Sequence, residues 1–393
     1  MEPERLWNRR YTQLVAIELM LQMGGFLTRP IISNYAISLG ATVPVAGFLA
    51  GMLATAALCI RPVSGMVSDR FSKKTLLVLA CALFSLGAFG CALARSVVLM
   101  GAFLALQGFA FAFKSALVTS FVPAVVPANR IGAGVGWLGL AYTVAIALGP
   151  SVGLAVSEIG GYPAAFAASG CLLLAAFVLA VLFDPPVPTR VEGRRPDRPP
   201  SRRPVLRTLF YPPAVLLSLV GGTLMISQGI TSSFVILAGE MRGISSVSLY
   251  FVFYALANVG ARPLAGWASD TLGVRRVVPP MMVVAIVGML ALAFLDNIAG
   301  VVVGGLCMGL GQGSAYAAIQ AESVRDVPPE CLARSANTYF IGPDIGMGLG
   351  PVFGGAILQS SGPEAMYLFN AVTIAAALAL FVIATEKTKR ARP

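Results

Sequence analysis

A chain of 393 residues that is 57% hydrophobic and 11% charged is not an ordinary soluble enzyme, in which roughly 25% of residues are charged. At about 20 residues per membrane-spanning helix, it holds a dozen spans and leaves no room for a separate soluble domain. The net charge of +11 raises nucleic acid as a partner, and the absence of histidine removes any histidine metal site.

Apolar runs near 12–38, 44–67, 75–94, 97–122, 131–156, 164–183, 209–238, 246–268, 277–295, 298–321, 335–358 and 365–385 predict twelve helices. They lack the period-two alternation of a membrane barrel. The first run contains Glu18, Gln22 and Arg29, spaced to share one helix face. Those charges, and Glu2 and Glu4 ahead of them, argue against a cleaved leader.

The second run ends in Arg61-Pro62-Val63-Ser64-Gly65-Met66-Val67-Ser68-Asp69-Arg70, with Lys73 and Lys74 just beyond. Gly65, one turn before Asp69, permits a close helix contact. Asp69 at the membrane face can accept charge-assisted hydrogen bonds from an arginine or a neighbouring helix N-terminus. It can equally sit in a permanent turn with solvated charges. Arg61 lies about 12 Å further up the helix. It can snorkel to headgroups or line the mouth of a cavity.

The fourth run carries Gln107 and Lys114, seven residues apart on one face. The fifth carries Gly149-Pro150-Ser151-Val152-Gly153, which bends a helix and brings it close to a neighbour. Residues 184–208 are Pro- and Arg-rich and predict an extended cytoplasmic linker, with partner binding as the alternative. Gln228 falls in the seventh run, Tyr254 and Asn258 in the eighth, Gln312 and Tyr316 in the tenth. Such stripes fit a water-filled path or hydrogen bonds between helices. The eleventh run holds Asn337 and Asp344, then Gly350-Pro351-Val352-Phe353-Gly354. A charge at mid-span costs at least about 2.5–3.5 kcal/mol. Asp344 and Glu18 are therefore candidate proton carriers; their alternatives are a structural hydrogen bond, a salt bridge to Arg29 or Lys114 for Asp344, and an interfacial position for Glu18. Six cysteines are scattered, mostly in apolar runs, and suggest neither a disulfide framework nor a metal site.

The chain repeats itself. Arg262, Pro263, Gly266, Ser269 and Asp270 follow Arg61, Pro62, Gly65, Ser68 and Asp69 by 201 positions, and Gly350, Pro351 and Gly354 follow Gly149, Pro150 and Gly153 by the same 201. Two matches at one offset indicate a tandem duplication, a mark of transporter folds. The predicted fold is all-α, with two pseudo-symmetric six-helix bundles over 1–183 and 209–393. With both termini in the cytoplasm, 22 Lys and Arg residues fall inside, two outside and four within spans. The positive-inside rule sets this orientation. The basic character becomes a topology signal with attraction to anionic lipid, and nucleic acid is set aside.

These residues resemble the major facilitator superfamily, whose signature after the second span is G-x-x-x-D-R-x-G-R-K/R. Gly65, Asp69, Arg70, Lys73 and Lys74 match, with Ser72 in place of a glycine; the second copy keeps Gly266, Asp270, Gly273 and Arg276 but has Thr271 for the arginine. The resemblance implies a gating latch at this motif and a monomer. Gly149-Pro150-x-x-Gly153 resembles the family's G-P-x-x-G motif, which implies export by antiport. The family's fourth-span R-x-x-Q-G is incomplete, with Leu104 at the arginine position; Lys114 is the substitute cation or a substrate ligand.

The expected function is secondary active transport of a small organic solute by alternating access, with proton-coupled export from the plasma (bacterial inner) membrane. Glu18 and Asp344 would exchange protons. Gln22, Arg29, Lys114, Gln228, Tyr254, Asn258, Gln312, Tyr316 and Asn337 would line the cavity. The alternatives are an importer or facilitator of an organic anion and a non-transporting scaffold or receptor. No cofactor is expected, and no nucleophile–base pair or phosphate loop suggests an enzyme.

Overall fold

A computed structural model describes residues 7–127, 131–184, 211–323, 327 and 332–390; within these, side chains are not described at several positions, among them 61–70, Arg262, Gly266, Asp270 and Asn337. The expected linker beyond Asp184, and the signature side chains Gly65, Asp69, Arg70, Gly266 and Asp270, thus lie outside the described set.

No strand occurs among the described residues. The helices are α1 (Arg9–Ser38), α2 (Val43–Arg70), α3 (Lys73–Ala92) and α4 (Val97–Val125). The stretch Ile131–Leu182 is broken at Gly161, where φ is 77°, and supplies α5 (131–160) and α6 (162–182). After it come α7 (Pro212–Met241), α8 (Leu249–Leu272), α9 (Val274–Phe294) and α10 (Ile298–Glu322). The stretch Leu332–Arg390 is broken at Gly362, where φ is 81°, into α11 (332–361) and α12 (363–390). The described residues thus make twelve segments. Gly161 and Gly362 are themselves 201 positions apart. Each takes a positive φ that only glycine adopts without strain, and a proline follows within two residues.

The packing repeats with the sequence. The α5–α6 stretch packs on α1, and the α11–α12 stretch packs on α7; α3 meets α4 as α9 meets α10. The G-P-x-x-G glycines explain the first pairing. A Cβ at Gly149 would lie 2.8 Å from Phe26 Cβ, and one at Gly153 would strike the Leu27 carbonyl. In the other half, Gly350 and Gly354 lie against Ile226 and Ile230 of α7. Large apolar side chains such as Leu86, Val178, Leu219 and Val287 point outward and stay about half exposed. Only lipid covers such a surface at no cost.

Helix ends are tied by side chains. Asn8 accepts from Tyr11 N at 2.9 Å and donates to Val125 O at 2.7 Å, joining the start of α1 to the end of α4. Arg242, just past α7, donates to Leu292 O (2.6 Å) and Ala293 O (3.1 Å) and pairs with Asp296 at 2.8 Å. It satisfies carbonyls that the end of α9 leaves open. The two signature turns differ in backbone: Gly273 has φ 83°, whereas Ser72 has φ −57°. The first turn has thus been re-formed so that it no longer needs glycine.

Candidate functional site

The two bundles meet most closely at the end distal to the chain termini. There α2 presents Gly47 and Gly51 to α11, and their missing side chains let backbone touch backbone. A Cβ on Gly51 would strike the Gly348 carbonyl, and one on Gly47 the Pro351 carbonyl. A Cβ on Gly348 would lie 2.7 Å from Thr55 Oγ1. Small residues allow this approach where no hydrophobic effect drives helices together. Nearby, Asn34 of α1 donates to Glu240 of α7 at 3.1 Å, a polar link between bundles.

Between the bundles lies a narrow cleft that includes Phe26, Arg29, Gln228, Tyr250 and Tyr254. Arg29 begins a 3-10 turn, Arg29–Ile31, that interrupts α1. Pro30 has no N–H to continue the α-helical ladder, which explains the tightening. The guanidinium carbon sits 4.1 Å over the Phe26 ring, and Tyr142 packs edge-on against Phe26 at 5.3 Å. Arg29 is within electrostatic reach of Tyr142 and of Asp344. Asp344 is on α11, one turn before Gly348, and so shares the face that meets α2. An acid from one bundle and a cation from the other thus lie within electrostatic reach of each other. On the other side of the cleft, Tyr254 Oη donates to Gln228 Oε1 at 3.4 Å.

A second polar group lies inside the first bundle. Gln22 Nε2 donates to Glu18 Oε1 at 2.5 Å. Lys114 is 1% exposed, within electrostatic reach of Glu18, and its Nζ lies 5.0 Å from the Phe111 ring centre. Among the described residues neither Lys114 Nζ nor Glu18 Oε2 has a hydrogen-bond partner. Ring faces attract a cation but do not replace hydrogen bonds in a site closed to water.

The remaining predicted residues divide. Gln312 is fully buried and donates to Leu224 O at 2.8 Å, pinning α10 to α7. It lies in a widened π turn, Gly309–Gly313. Asn258 is 2% exposed and lays its amide flat on Gly313. Both sit in helix contacts rather than in the cleft. Tyr316 stands 6.1 Å from Tyr339. The Asn337 side chain lies outside the described set, while Lys73 and Arg276 are exposed and Lys74 is half-buried. The sequence reading did not single out Asn34, Glu240, Tyr142, Gly47 or Gly51. For the last two a signal existed, since Gly47-Phe48-Leu49-Ala50-Gly51 is a small-x-x-x-small pattern.

The model of the Major Facilitator Superfamily matches residues 14–342 and 244–393. The chain belongs to that superfamily. The uncharacterized MFS-type transporter YhhS of Escherichia coli K12 is 24% identical over 343 residues, covering 85% of this chain and 82% of that protein. A bacterial homolog of the human lysosomal transporter Spinster, solved inward-facing and occupied, superposes with a TM-score of 0.79 at 16% identity over 96% of both chains. The nucleoside transporter NupG superposes with a TM-score of 0.69 at 15% identity, over 95% of this chain and 99% of that one. The present chain is therefore a superfamily transporter of small molecules, integral to the membrane and not an enzyme.

Proposed function

We propose that this superfamily member exports a small organic solute in exchange for protons across the plasma (bacterial inner) membrane, working as a monomer with both termini in the cytoplasm. The placement of Lys and Arg supports the orientation. With it, the glycine seam of α2 and α11 is the outer closure, and the conformation is inward-facing. The bundles over 1–183 and 209–393, joined by the basic segment 184–208, would rock about a site at their interface.

The observation that carries the reading is that Asp344 of α11 and Arg29 of α1, an acid and a cation from opposite bundles, lie within electrostatic reach of each other. A carboxyl between bundles changes its surroundings whenever the bundles rock, which coupling requires. It is neutralised by a proton in one state and by a cationic partner in the other. Glu18, beside Gln22 and Lys114, is the second proton site. The signature residues Asp69 and Asp270 serve as latches at the cytoplasmic face.

Everted membrane vesicles test this. Respiration acidifies their lumen, so an exporter accumulates substrate there and releases protons, seen as recovery of a pH-sensitive dye. Accumulation that survives an uncoupler would end the proton reading in favour of another driving ion, and equilibration without accumulation would leave facilitated transport.

A further inference from the structure

The second bundle carries a groove that transport does not account for. It has a volume of about 830 Å³, runs between α8 and α9 with Leu310 of α10 in its lining, and shares no lining residue with the cleft between the bundles. Its walls are apolar. Leu256, Leu264 and Trp267 of α8 line it and are each about two-thirds exposed. Protein does not fill the space. A Cβ on Gly309 would strike the Tyr254 carbonyl, whereas one on Gly260, in the groove wall, would meet nothing within 4 Å.

One end of the groove is cationic. Arg276, in the first turn of α9, lines it and is exposed, with exposed Arg275 beside it. Leu256 to Trp267 covers about 16 Å of helix at about 1.5 Å per residue. That is close to one leaflet, half of a hydrocarbon core about 30 Å thick. A slot of this depth, apolar along its length and cationic at its mouth, is complementary to one class of molecule. We infer that the groove holds an anionic phospholipid, with an acyl chain between α8 and α9 and its phosphate on Arg276.

Each part of the lipid then has a partner. The chain covers leucine and indole that water would leave exposed. Arginine receives a phosphate through paired N–H donors, and its long stem reaches the headgroup level from the helix end. In the orientation proposed above, this end lies in the cytoplasmic leaflet, whose anionic lipids attract arginine next to a span. The inference goes beyond the transport proposal and uses neither its direction nor its coupling ion.

Trp267 supplies the readout. Trp7→Phe with Trp137→Phe leaves it the sole tryptophan of the three in the chain. The full-length protein is reconstituted in phosphatidylcholine bilayers in which a set fraction of the lipid is brominated at mid-chain. That fraction is phosphatidylglycerol in one arm and phosphatidylcholine in the other. Bromine quenches only an indole it touches, so quenching against lipid fraction gives relative affinity. Phosphatidylglycerol should be preferred about fivefold or more, the worth of one arginine beside anionic headgroups. Arg275→Gln with Arg276→Gln should abolish the preference. Arg276→Lys should keep most of it, which guards against misfolding. Gly260→Leu has open space for its side chain; it should fill the groove and lower the preference with no change of charge. The rings of Trp7, Tyr11 and Trp137 pack together. If replacing them disturbs the fold, the same quantity is the difference between the native chain and Trp267→Phe. Equal quenching by the two lipids would mean ordinary boundary lipid and overturn the inference. A preference that survives the double arginine variant, or one that survives Gly260→Leu, overturns it too, the latter in favour of diffuse attraction at the surface. So does an indole that neither lipid quenches. A lipid preference in a chain that transports nothing would sink the transport proposal and leave this site standing.

Discussion

Gly51 of α2 and Gly348 of α11 meet backbone to backbone, with no room for a Cβ between them. The contact belongs to one access state only, because the bundles must part for the distal end to open. Its pseudo-symmetric counterpart, α8 with α5, places Tyr250 and Tyr254 beside Ile146 and Pro150 around the cleft instead. One side of the closure is thus a tight glycine seam and the other an aromatic edge.

Gly51→Val should therefore open the distal end without unfolding either bundle. Overpacking costs about 1–3 kcal/mol, enough to shift a two-state population about fivefold to more than a hundredfold. With native cysteines removed, a cysteine at Ser232, which lines the cleft, should react faster with a membrane-impermeant thiol reagent added outside cells. An unchanged rate in a stably inserted protein would mean that this seam does not set the closure.

The Asn34–Glu240 hydrogen bond should have a smaller effect in the same direction. A hydrogen bond to a charged group is worth about 1.5–3 kcal/mol at most, and less when part-exposed, as Glu240 is. Asn34→Ala should raise labelling at position 232 several-fold, and Glu240→Gln, which keeps an acceptor oxygen, should raise it less. If the two variants are equal and both match wild type, the link is incidental.

The architecture was legible because its causes are periodic and compositional. Continuous apolar runs marked the helices, and the 201-residue offset carried through to the paired hinges Gly161 and Gly362. The Gly149 and Gly350 motifs pack where their composition suggested. The site was less legible. Asp344 and Arg29 were found because charge in an apolar span is conspicuous, and a pair between them was one alternative; that Arg29 is within electrostatic reach of Asp344 needed the fold. Gln312 and Asn258 looked like lining residues, since a polar stripe has the same period whether it faces water or a helix; both turn out to make interhelical contacts. Gly47 and Gly51 were hidden among 42 glycines, and spacing alone does not say which pairs meet another bundle.

Lys114 should separate stability from turnover. Its amine is buried without a hydrogen-bond partner among the described residues, so the folded state gains little from the charge. Lys114→Met keeps the length and removes the amine. The variant should unfold at the same or a higher temperature, while transport falls at least tenfold. A stable variant with wild-type transport would make Lys114 a packing residue held by Phe111, and Glu18 would lose its proposed partner.

Asp344 carries the strongest mechanistic consequence. If it is the proton site, Asp344→Asn fixes the neutral form that a bound proton would give. The bundles can then still rock, but the cycle cannot exchange a proton for substrate. In proteoliposomes the variant should lose accumulation driven by a pH gradient. Exchange of labelled for unlabelled substrate at equal pH should persist. Glu18→Gln provides the control. It removes a carboxyl held by Gln22 within one bundle, away from the seam, and should slow accumulation without abolishing it. Full pH-driven accumulation by Asp344→Asn, together with its loss in Glu18→Gln, would reverse the two assignments and move coupling from the seam into the first bundle.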